Sequence, residues 1–446
     1  MTAPTAPAID LSGRRIVIAN WRDPWHPGAG GAEVYAWEIA RGLLARGASV
    51  CYLTARAPGQ ARRGRHDQIT VVRMGGRFTV YPLVLGWLLA HRRSFDAVLD
   101  CQNGIPFFTP WVLPRRVPVL CLMHHVHTAQ FGVHFPRGMA WAGRFLEGPV
   151  ARRAYRRHAC VAISPSTVAA MRDRLRWTGD IYLVPCGSPA PAGVTAGPPP
   201  TTLTWVGRLV AHKRAELILP VAQQLGASGY TIDVVGRGPA AQDLAGAVAA
   251  RGLAGTVRLH GFLPEADKQA IVAGSLLHLN TSHGEGWGLC VLEAAALGVP
   301  TVAYDVDGLR DAVRDGETGW LVRAGETIED VTERAIKELA DPGRRSAVAA
   351  ACRDWAARLD WAGSRERLAA LLQASIQNGT SRASRTGAWI VSAAGQSGSG
   401  GVLVEGPVLD LLLAAHPGGL AMRPATPLER LLGHAAGEDG DMSGRP

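Results

Sequence analysis

The 446-residue sequence has few lysines and no paired cysteine motif. Only three of its 47 basic residues are lysines, namely Lys213, Lys268 and Lys337, so a lysine is conspicuous in this arginine-rich background. The seven cysteines are odd in number and never spaced as C-x-x-C. This pattern argues against a disulfide framework and against a zinc site, and it is typical of reduced core cysteines in a cytosolic protein.

Long uninterrupted hydrophobic runs are also missing. The start, MTAPTAPAIDLSGRR, has no apolar segment of the kind found in signal peptides. Residues 78–90 are apolar but too short to cross a bilayer, and residues 286–304 are interrupted by Glu293 and by Gly298 and Pro300. We therefore expect no transmembrane helix and a cytoplasmic location.

Acidic residues are scarce in the first half of the chain. Residues 1–190 hold 24 basic and 10 acidic side chains, whereas residues 191–377 have a net charge of −3 and residues 378–446 of −1. The uneven charge indicates an anionic partner for the first half. A candidate basic patch lies on a predicted helix over 145–158 and comprises Arg152, Arg153, Arg156 and Arg157.

This basic patch has two interpretations. A solvated basic helix face is the ordinary one, and the other is contact with a polyanionic acceptor or with anionic lipid at the inner face of the plasma membrane. A nucleic-acid partner is not expected, because no reader motif or interleaved aromatic residues accompany the arginines.

Strands and helices alternate along most of the chain. Apolar, β-branched segments at 14–20, 70–74, 97–101, 118–123 and 160–164 alternate with helical periodicity, which predicts βαβ units and a parallel sheet. A Pro/Gly-rich segment at 186–202 interrupts this pattern, and a second alternation follows, with a helix over 214–226 and further helix to about 340.

The predicted fold is α/β, with two Rossmann-like domains facing each other across a cleft. We place the N-terminal domain at 1–190 and the C-terminal domain at 191–377, and residues 378–446 form a tail that is largely disordered or weakly structured. Ligands of such folds bind at the carboxyl ends of the strands.

Two glycine-containing turns at strand ends are candidate phosphate sites. Gly28, Gly30 and Gly31 separate the first strand from its helix, where backbone N–H groups can face a phosphate, although a plain tight turn is an equal alternative. Gly207 and Arg208 follow a later strand in VGRLVAHKR, and Lys213 lies five positions beyond Arg208. Two cations at this spacing can hold a diphosphate and stabilise it as a leaving group.

Other polar side chains after strands are weaker candidates. Arg237 follows a strand in VVGRGP, and His124, His125 and His127 end another strand in LMHHVH, without a fourth ligand that would suggest zinc. One of these imidazoles is expected to line the cleft. Asp305 and Asp307 form a D-x-D pair, for which helix capping is a simpler explanation than metal binding.

The stretch SHGEGWGLCVLEAAALGVP at 282–300 is mostly apolar but contains Glu285 and Glu293, eight positions apart. Together with VGRLVAHKR it resembles the retaining nucleotide-sugar glycosyltransferases of family 4, which have the GT-B fold. GGAE near the N-terminus, QNGIPFF, SPST and LDWAGSRERLAALL add to the resemblance, which covers roughly residues 14–376.

The resemblance implies a role for each matching position. Glu293 would accept hydrogen bonds from the ribose, and Glu285 would contact the donor sugar. Arg208 and Lys213 would bind the diphosphate, and His124, or else His125, would line the sugar pocket. Backbone N–H groups at Gly30, Gly31, Gly288 and Leu289 would assist with the diphosphate. The last helix, at about 362–376, would pack back toward the N-terminal domain.

The family implies a hexosyltransferase-type enzyme that retains anomeric configuration without a cofactor or a divalent metal. Its partners would be a nucleoside diphosphate sugar and an acceptor in cell-envelope polysaccharide, glycolipid or secondary-metabolite synthesis. A nucleotide-sugar 2-epimerase of the same fold and a non-catalytic binding protein are the alternatives. The intact set of two cations and two glutamates argues against the second.

Overall fold

Two sheets, each flanked by helices, form the molecule. The computed structural model describes residues 9–179, 181–188 and 201–378, together with three short strands at 389–393, 402–404 and 420–423. Within the described residues, no helix is long and apolar enough to cross a membrane.

The N-terminal domain contains eight strands and six α-helices among the described residues. The strands are β1 (Arg15–Ala19), β2 (Ser49–Thr54), β3 (Arg63–His66), β4 (Ile69–Arg73), β5 (Ala97–Asn103), β6 (Val119–His125), β7 (Ala159–Ala162) and β8 (Ile181–Leu183). The helices are α1 (Gly31–Ala45), α2 (Val80–His91), α3 (Gln130–His134), α4 (Arg137–Phe145), α5 (Ala151–Tyr155) and α6 (Pro165–Asp173), with a π-helical turn at Leu146–Val150 and a 3₁₀ turn at Thr109–Trp111.

The C-terminal domain has six strands, and every pairing between them is parallel. The strands are β9 (Thr202–Val206), β10 (Thr231–Val235), β11 (Val257–Gly261), β12 (Leu277–Asn280), β13 (Thr301–Tyr304) and β14 (Gly319–Val322). The helices are α7 (Ile218–Gly226), α8 (Ala241–Ala250), α9 (Glu265–Ala273), α10 (Leu289–Ala296), α11 (Leu309–Ala312), α12 (Ile328–Leu339), α13 (Pro342–Ala357) and α14 (Trp361–Asn378), with 3₁₀ turns at Ala211–Lys213 and Ala215–Leu217.

The strand order places β1 and β9 inside their sheets. The N-terminal sheet runs β8-β7-β6-β5-β1-β2-β4-β3, and the C-terminal sheet runs β11-β10-β9-β12-β13-β14. β12 and β14 are buried along their whole length because helices cover both faces of a parallel sheet. These two α/β sheets confirm the predicted fold class.

The final helix leaves the C-terminal domain and lies on the N-terminal one. The backbone N–H of Asp10 donates to Gln373 on α14 at 2.8 Å. A Cβ atom on Gly42 of α1 would come within 2.5 Å of the Cβ of Arg365, so only glycine allows the two helices this approach. The same chain therefore joins the two domains twice, through the 186–202 segment and through α14.

Two local predictions are wrong. The predicted helix over 214–226 begins only at Ile218, because Arg214 has a left-handed backbone with φ of 48° that ends the preceding 3₁₀ turn. The predicted helix to about 340 contains a strand, β14, since its four apolar residues GWLV complete the buried edge of the sheet. Short apolar segments of this length fit either structure, and packing decides between them.

Most of the predicted tail, and the 190/191 domain boundary, lie outside the described residues. Within the tail, three strands are described, which we label β15 (Trp389–Ala393), β16 (Val402–Val404) and β17 (Leu420–Arg423). β16 pairs in parallel with β8, and β15 pairs antiparallel with both β16 and β17, so they extend the N-terminal sheet.

Candidate active site

Arg208 joins the two domains at the glycine loop. It directly follows β9, and its Nη1 donates to the carbonyl of Gly28 in the other domain at 3.2 Å. A Cβ on Gly30 would lie 3.2 Å from Arg208 Nε, and a Cβ on Gly31 would lie 2.9 Å from Leu289 Cδ1. The glycines thus let the N-terminal loop lie directly against Arg208 and the start of α10.

One predicted phosphate ligand in this loop is already occupied. The N–H of Gly30 donates to the carboxylate of Glu33 at 2.6 Å, and the N–H of Glu33 donates back to the carbonyl of Gly30 at 3.2 Å. This reciprocal pair closes the first turn of α1. The Gly30 N–H is therefore bound within its own helix, which leaves Gly31 as the predicted glycine ligand of the loop.

Arg22 and Glu33 belong to the site although the sequence analysis missed both. Arg22 stacks on the ring of Trp21 at 3.9 Å and donates to the carbonyl of Gly28, which also accepts from Arg208. Glu33 is buried, and its Oε1 has no hydrogen-bond partner among the described residues. Burial raises the pKa of Glu33, although the Arg22 guanidinium opposes this rise.

Burial also lowers the pKa of Arg22, an effect that Glu33 opposes and the nearby Arg208 reinforces. Two guanidiniums, those of Arg22 and Arg208, thus share the Gly28 carbonyl at the edge of the cleft. The position of Arg22 in the loop after the first strand was the available indication, because functional loops of such sheets lie at strand ends.

Lys213 and Glu285 form a largely buried ion pair. Lys213 ends the 3₁₀ turn after β9, and Glu285 lies in the loop after β12, so two neighbouring strands bring them together. Lys213 Nζ contacts Glu285 Oε1, which also accepts from Ser282 Oγ at 2.6 Å. Only 14% and 15% of the two side chains are exposed.

The two members of this pair hold each other ionised. Burial alone would lower the pKa of Lys213, but the Glu285 carboxylate outweighs it and the pKa is raised. Burial alone would raise the pKa of Glu285, but Lys213 and Ser282 outweigh it and the pKa is lowered. Both side chains are therefore charged near neutral pH.

Glu293 pairs with a lysine that the sequence analysis left without a role. Lys268 Nζ on α9 lies 2.8 Å from Glu293 Oε2 on α10 and 2.9 Å from Glu265 Oε1. Burial raises the pKa of Glu293, and the ammonium of Lys268 opposes this rise. Two of the three lysines thus face the two glutamates of the 282–300 stretch.

Only Glu293 lies on a helix. α10 begins at Leu289, and Gly288 before it has a left-handed φ of 101°. The separation of the two glutamates along the structure therefore does not follow from the rise of an α-helix over eight residues. Gly286 in the intervening loop packs so closely that a Cβ there would lie 2.2 Å from the carbonyl oxygen of His124. This loop brings the two domains into backbone contact beside Glu285.

The two candidate histidines at the end of β6 have different surroundings. His124 is buried with its ring edge-on to Tyr35 at 5.6 Å, and neither ring nitrogen has a hydrogen-bond partner among the described residues. His125 lines a cavity between the domains, next to Gly284. The strand is irregular at this point, since Met123 pairs with Gln102 and His125 with Asn103, which leaves His124 as the extra residue. The predicted first choice, His124, thus packs against Tyr35 of α1, and the alternative, His125, lines the cavity between the domains.

Burial lowers the pKa of both imidazoles, to about 3 for His124 and to about 4 for His125, where the Glu285 carboxylate opposes the shift. Both rings are therefore neutral at physiological pH, and a neutral ring can both donate and accept a hydrogen bond. His127 is held through its main chain, because its backbone N–H donates to the Glu147 carboxylate at 2.5 Å.

The remaining candidates lie apart from the ion pairs. Arg237 stacks on Phe262 at 4.6 Å. Asp305 pairs with Arg310, and Asp307 pairs with Arg174 of the other domain, each at 2.8 Å. Neither aspartate caps α11, whose N-cap is Gly308, so the capping interpretation is wrong. Among the described residues, no group of three His, Cys, Asp or Glu side chains is arranged to hold a metal ion.

The predicted basic patch does not form one helix face. α5 ends at Tyr155, so Arg156 and Arg157 lie beyond it, and Pro149 lies in the π-helical turn before it. Arg152 Nη1 donates to the carbonyl of Leu175 at 3.2 Å and serves the local fold. A chain that includes Pro149 cannot keep a regular helix over 145–158.

Comparison with solved structures identifies the fold of this chain. Sucrose-phosphate synthase from Thermosynechococcus elongatus superposes with a TM-score of 0.70 at 18% identity, covering 82% of this chain and 100% of that one. HepE from Anabaena, solved in complex with UDP-glucose, superposes with a TM-score of 0.60 at 17% identity, covering 80% and 99%. These similarities confirm the predicted GT-B fold.

Two family models match successive parts of the sequence. "Glycosyltransferase Family 4" matches residues 29–189, and "Glycosyl transferases group 1" matches residues 195–355. The chain therefore belongs to the family 4 glycosyltransferases with the GT-B fold. The D-inositol 3-phosphate glycosyltransferase of Rhodococcus jostii is 35% identical over 174 residues, which is 37% of this chain and 38% of that protein. The chain thus matches this curated relative over well under half of its length.

Proposed function

We propose that the protein transfers a sugar from a nucleoside diphosphate sugar to an acceptor hydroxyl. The observation that carries this proposal is the convergence of Arg208, Lys213 and Glu285 at the strand ends that face the N-terminal glycine loop. Cations placed at a departing diphosphate stabilise the charge that develops there. The solved complex of HepE with UDP-glucose supports a donor of this class.

In this proposal each contact has one task. Arg208 and Lys213, with Arg22 beside them, bind the diphosphate, assisted by the N-terminus of α10 at Gly288 and Leu289. Glu285 accepts hydrogen bonds from the donor sugar. Glu293 accepts them from the ribose, and His125 lines the sugar pocket next to Glu285.

The reaction we propose retains the configuration of the donor sugar. The bond between the anomeric carbon and the diphosphate oxygen breaks, and its electron pair leaves with the nucleoside diphosphate. The acceptor oxygen bonds to the same face of the anomeric carbon, and its proton passes to the departing diphosphate. No covalent enzyme intermediate and no divalent metal take part, because the guanidiniums and the ammonium carry the positive charge.

The same proposal extends to the setting of the enzyme. We propose a hexosyl donor, a cytoplasmic location, an acceptor in envelope, glycolipid or secondary-metabolite synthesis, and peripheral contact with anionic membrane. The support for membrane contact is α4, which exposes Met139, Trp141 and Phe145 on a helix that also carries Arg137 and Arg144. Aromatic and basic side chains on one short helix suit a lipid interface.

The test is a thermal-shift panel of UDP, GDP, ADP and dTDP sugars on the full chain, followed by NMR of the product. We expect one donor to raise the unfolding temperature and Arg208→Ala to abolish that rise. Arg334→Ala on α12, which removes a surface ion pair with Glu326 in the loop before that helix, is the control and keeps the rise.

Turnover then separates the alternatives. We expect a retained anomeric configuration in the product and undiminished activity in EDTA. An epimerised donor without any acceptor would favour the epimerase. An inverted product, or activity that EDTA abolishes and Mg²⁺ restores, would overturn the proposed mechanism, and the absence of any donor binding would overturn the enzyme assignment.

A further inference from the structure

A cavity of about 510 Å³ opens between the two domains beside Glu285. His125, Thr128, Arg144 and Arg174 line it from the N-terminal domain, and His283, Asp307 and Arg310 are among the residues that line it from the C-terminal domain. Gly284, which precedes Glu285 in the chain, also lines it. The cavity therefore adjoins the end of the site where the donor sugar is proposed to lie, away from the glycine loop.

The charges of this cavity are unbalanced. Its lining has three guanidiniums and one carboxylate, that of Asp307, which pairs with Arg174 at 2.8 Å. Arg310 is held by Asp305, which does not line the cavity. A lining with this excess of cations attracts an anion.

Arg144 is the least neutralised of the three. Its Nε donates to the carbonyl of Thr128 at 2.8 Å, which fixes the guanidinium in the wall. Among the described residues, no carboxylate lies within the 4.0 Å that defines an ion pair with Arg144, whereas Arg174 and Arg310 each have one. A guanidinium held by a neutral carbonyl keeps its full charge and its remaining N–H donors for a ligand.

The wall behind Arg144 adds little negative charge. Glu147 accepts hydrogen bonds from the His127 N–H at 2.5 Å and from Thr128 Oγ1 at 3.0 Å, and so fixes the loop that follows β6. Burial raises the pKa of this carboxyl to about 8, against the effect of those hydrogen bonds. Burial therefore disfavours the negative charge of Glu147, which weakens its ability to offset Arg144.

We propose that this cavity binds the acceptor and that the acceptor carries a phosphate group near the hydroxyl that receives the sugar. The inference rests on the proposed function, because it assigns the acceptor half of the same site. A phosphate monoester or diester fits the lining, since guanidiniums bind its oxygens in a two-pronged geometry. Arg174 and Arg310 come from opposite domains, so a phosphate between them would bridge the cleft.

Two kinds of molecule carry a phosphate group of this type: a soluble sugar or polyol phosphate, and a phospholipid headgroup. The experiment measures binding of glycerol 3-phosphate and myo-inositol 1-phosphate, with glycerol and myo-inositol as uncharged counterparts, by isothermal titration of the full chain. UDP is present at saturation so that the diphosphate site is filled. Sedimentation with phosphatidylglycerol and with phosphatidylcholine vesicles tests the lipid source.

We expect a phosphate compound to bind and its uncharged counterpart not to bind. Arg144→Gln is expected to weaken that binding at least tenfold, and Arg310→Gln serves as a second variant if the first does not fold. Arg334→Gln is the matched surface control and binds as the unaltered protein does. Binding confined to phosphatidylglycerol vesicles, and lost in Arg144→Gln, assigns the phosphate to a lipid.

The proposal is overturned if charged and uncharged compounds bind alike, if neither soluble phosphates nor anionic vesicles bind, or if Arg144→Gln and Arg310→Gln bind undiminished. Failure of the proposed function is a separate result, because it shows as the absence of UDP and nucleotide-sugar binding in the thermal-shift panel. UDP binding without a preference for phosphate would leave the glycosyltransferase proposal standing and overturn this one.

Discussion

Glu285 and Glu293 come from one short stretch of sequence, and each faces a lysine, but the two ion pairs differ in how their charges balance. Among the described residues, Lys213 forms an ion pair with Glu285 alone, and Ser282 donates to the same oxygen of that carboxylate. Lys268 is shared between Glu293 and the half-exposed Glu265. The carboxylate with two donors has a lowered pKa, and the one that shares its cation has a raised pKa.

This difference indicates that a buried carboxylate stays charged when its hydrogen-bond donors are not shared with a second carboxylate. In the proposed reaction, Glu285 and Lys213 work at the reacting end, where charge must persist. Glu293 is proposed to work at the ribose, where a carboxylate accepts hydrogen bonds from hydroxyls more strongly than a neutral carboxyl does. Four expected effects would break or sharpen this comparison.

The largest effect is expected for Lys213→Met. It removes a cation from the proposed diphosphate site and leaves the Glu285 carboxylate buried without its ammonium, so kcat/KM should fall about 10²–10³-fold. Steady-state kinetics with the donor found by thermal shift measures this. Lys337→Met is the matched control, because its partner Glu333 is one turn away on the exposed face of α12. A fall below tenfold would contradict a role for Lys213 at the leaving group.

The second effect concerns stability. Glu285→Gln leaves Lys213 buried and unpaired, which costs about 3 kcal/mol and lowers the unfolding temperature by about 6–12 °C. Glu293→Gln leaves Lys268 with Glu265, so we expect a change within about 1 kcal/mol. Calorimetry at pH 7 compares them. Equal losses in the two variants would refute the difference between the pairs.

The sign of the pH dependence follows from the shifts. Because the folded pKa of Glu285 is lowered, its contribution to stability is present above the ordinary glutamate value and is lost as the pH falls through the folded value. The opposite holds for Glu293, whose raised pKa makes stability fall as the pH rises from the ordinary value to the folded one. The deficit of Glu285→Gln should therefore shrink in acid.

The third effect is on donor affinity. Lys268→Met removes the cation that opposes the raised pKa of Glu293, so the donor KM should rise about tenfold while kcat changes little. The pH below which donor binding weakens should move upward, and Lys268→Arg should restore both. A fall in kcat with an unchanged KM would mean that Lys268 does not act through the ribose contact.

The smallest effect is expected for Glu265→Gln. It leaves Lys268 to Glu293 alone and makes the second pair resemble the first, so the pKa of Glu293 should fall. The donor KM should change by less than about threefold, since the exposed Glu265 contributes little. The pH profile of KM measures the shift, and a profile that moves toward higher pH would contradict the shared-cation account.

The elements that the sequence predicted best are those with long, regular patterns. The first strand and its helix, the second alternation and the glutamate stretch are present, because apolar periodicity is decided locally. The errors lie at short segments. The hairpin of β3 and β4 was missed because its turn uses Asp67 and Gln68 at positive φ, in place of the asparagine-glycine that usually indicates such a turn.

The candidate site residues likewise divide into those that the sequence predicted and those that it did not. Arg208, Lys213, Glu285 and Glu293 could be named from spacing and resemblance because they follow strands or lie in one recognisable stretch. Arg22 and Lys268 were missed, because Arg22 gains its meaning from Arg208, which shares the Gly28 carbonyl with it, and Lys268 gains its meaning from Glu293. A pattern of single residues does not show which distant side chains meet.

By itself, the sequence determined two α/β domains built on largely parallel sheets, a cleft at their strand ends and the residue types that we propose hold a nucleotide sugar. Only the tertiary structure decided that His125 lines the cavity between the domains while His124 packs against Tyr35, and that each glutamate of the stretch pairs with a lysine. The physical reason is that alternation and periodicity are set by neighbours along the chain. Burial, charge pairing and pKa are set by neighbours in space.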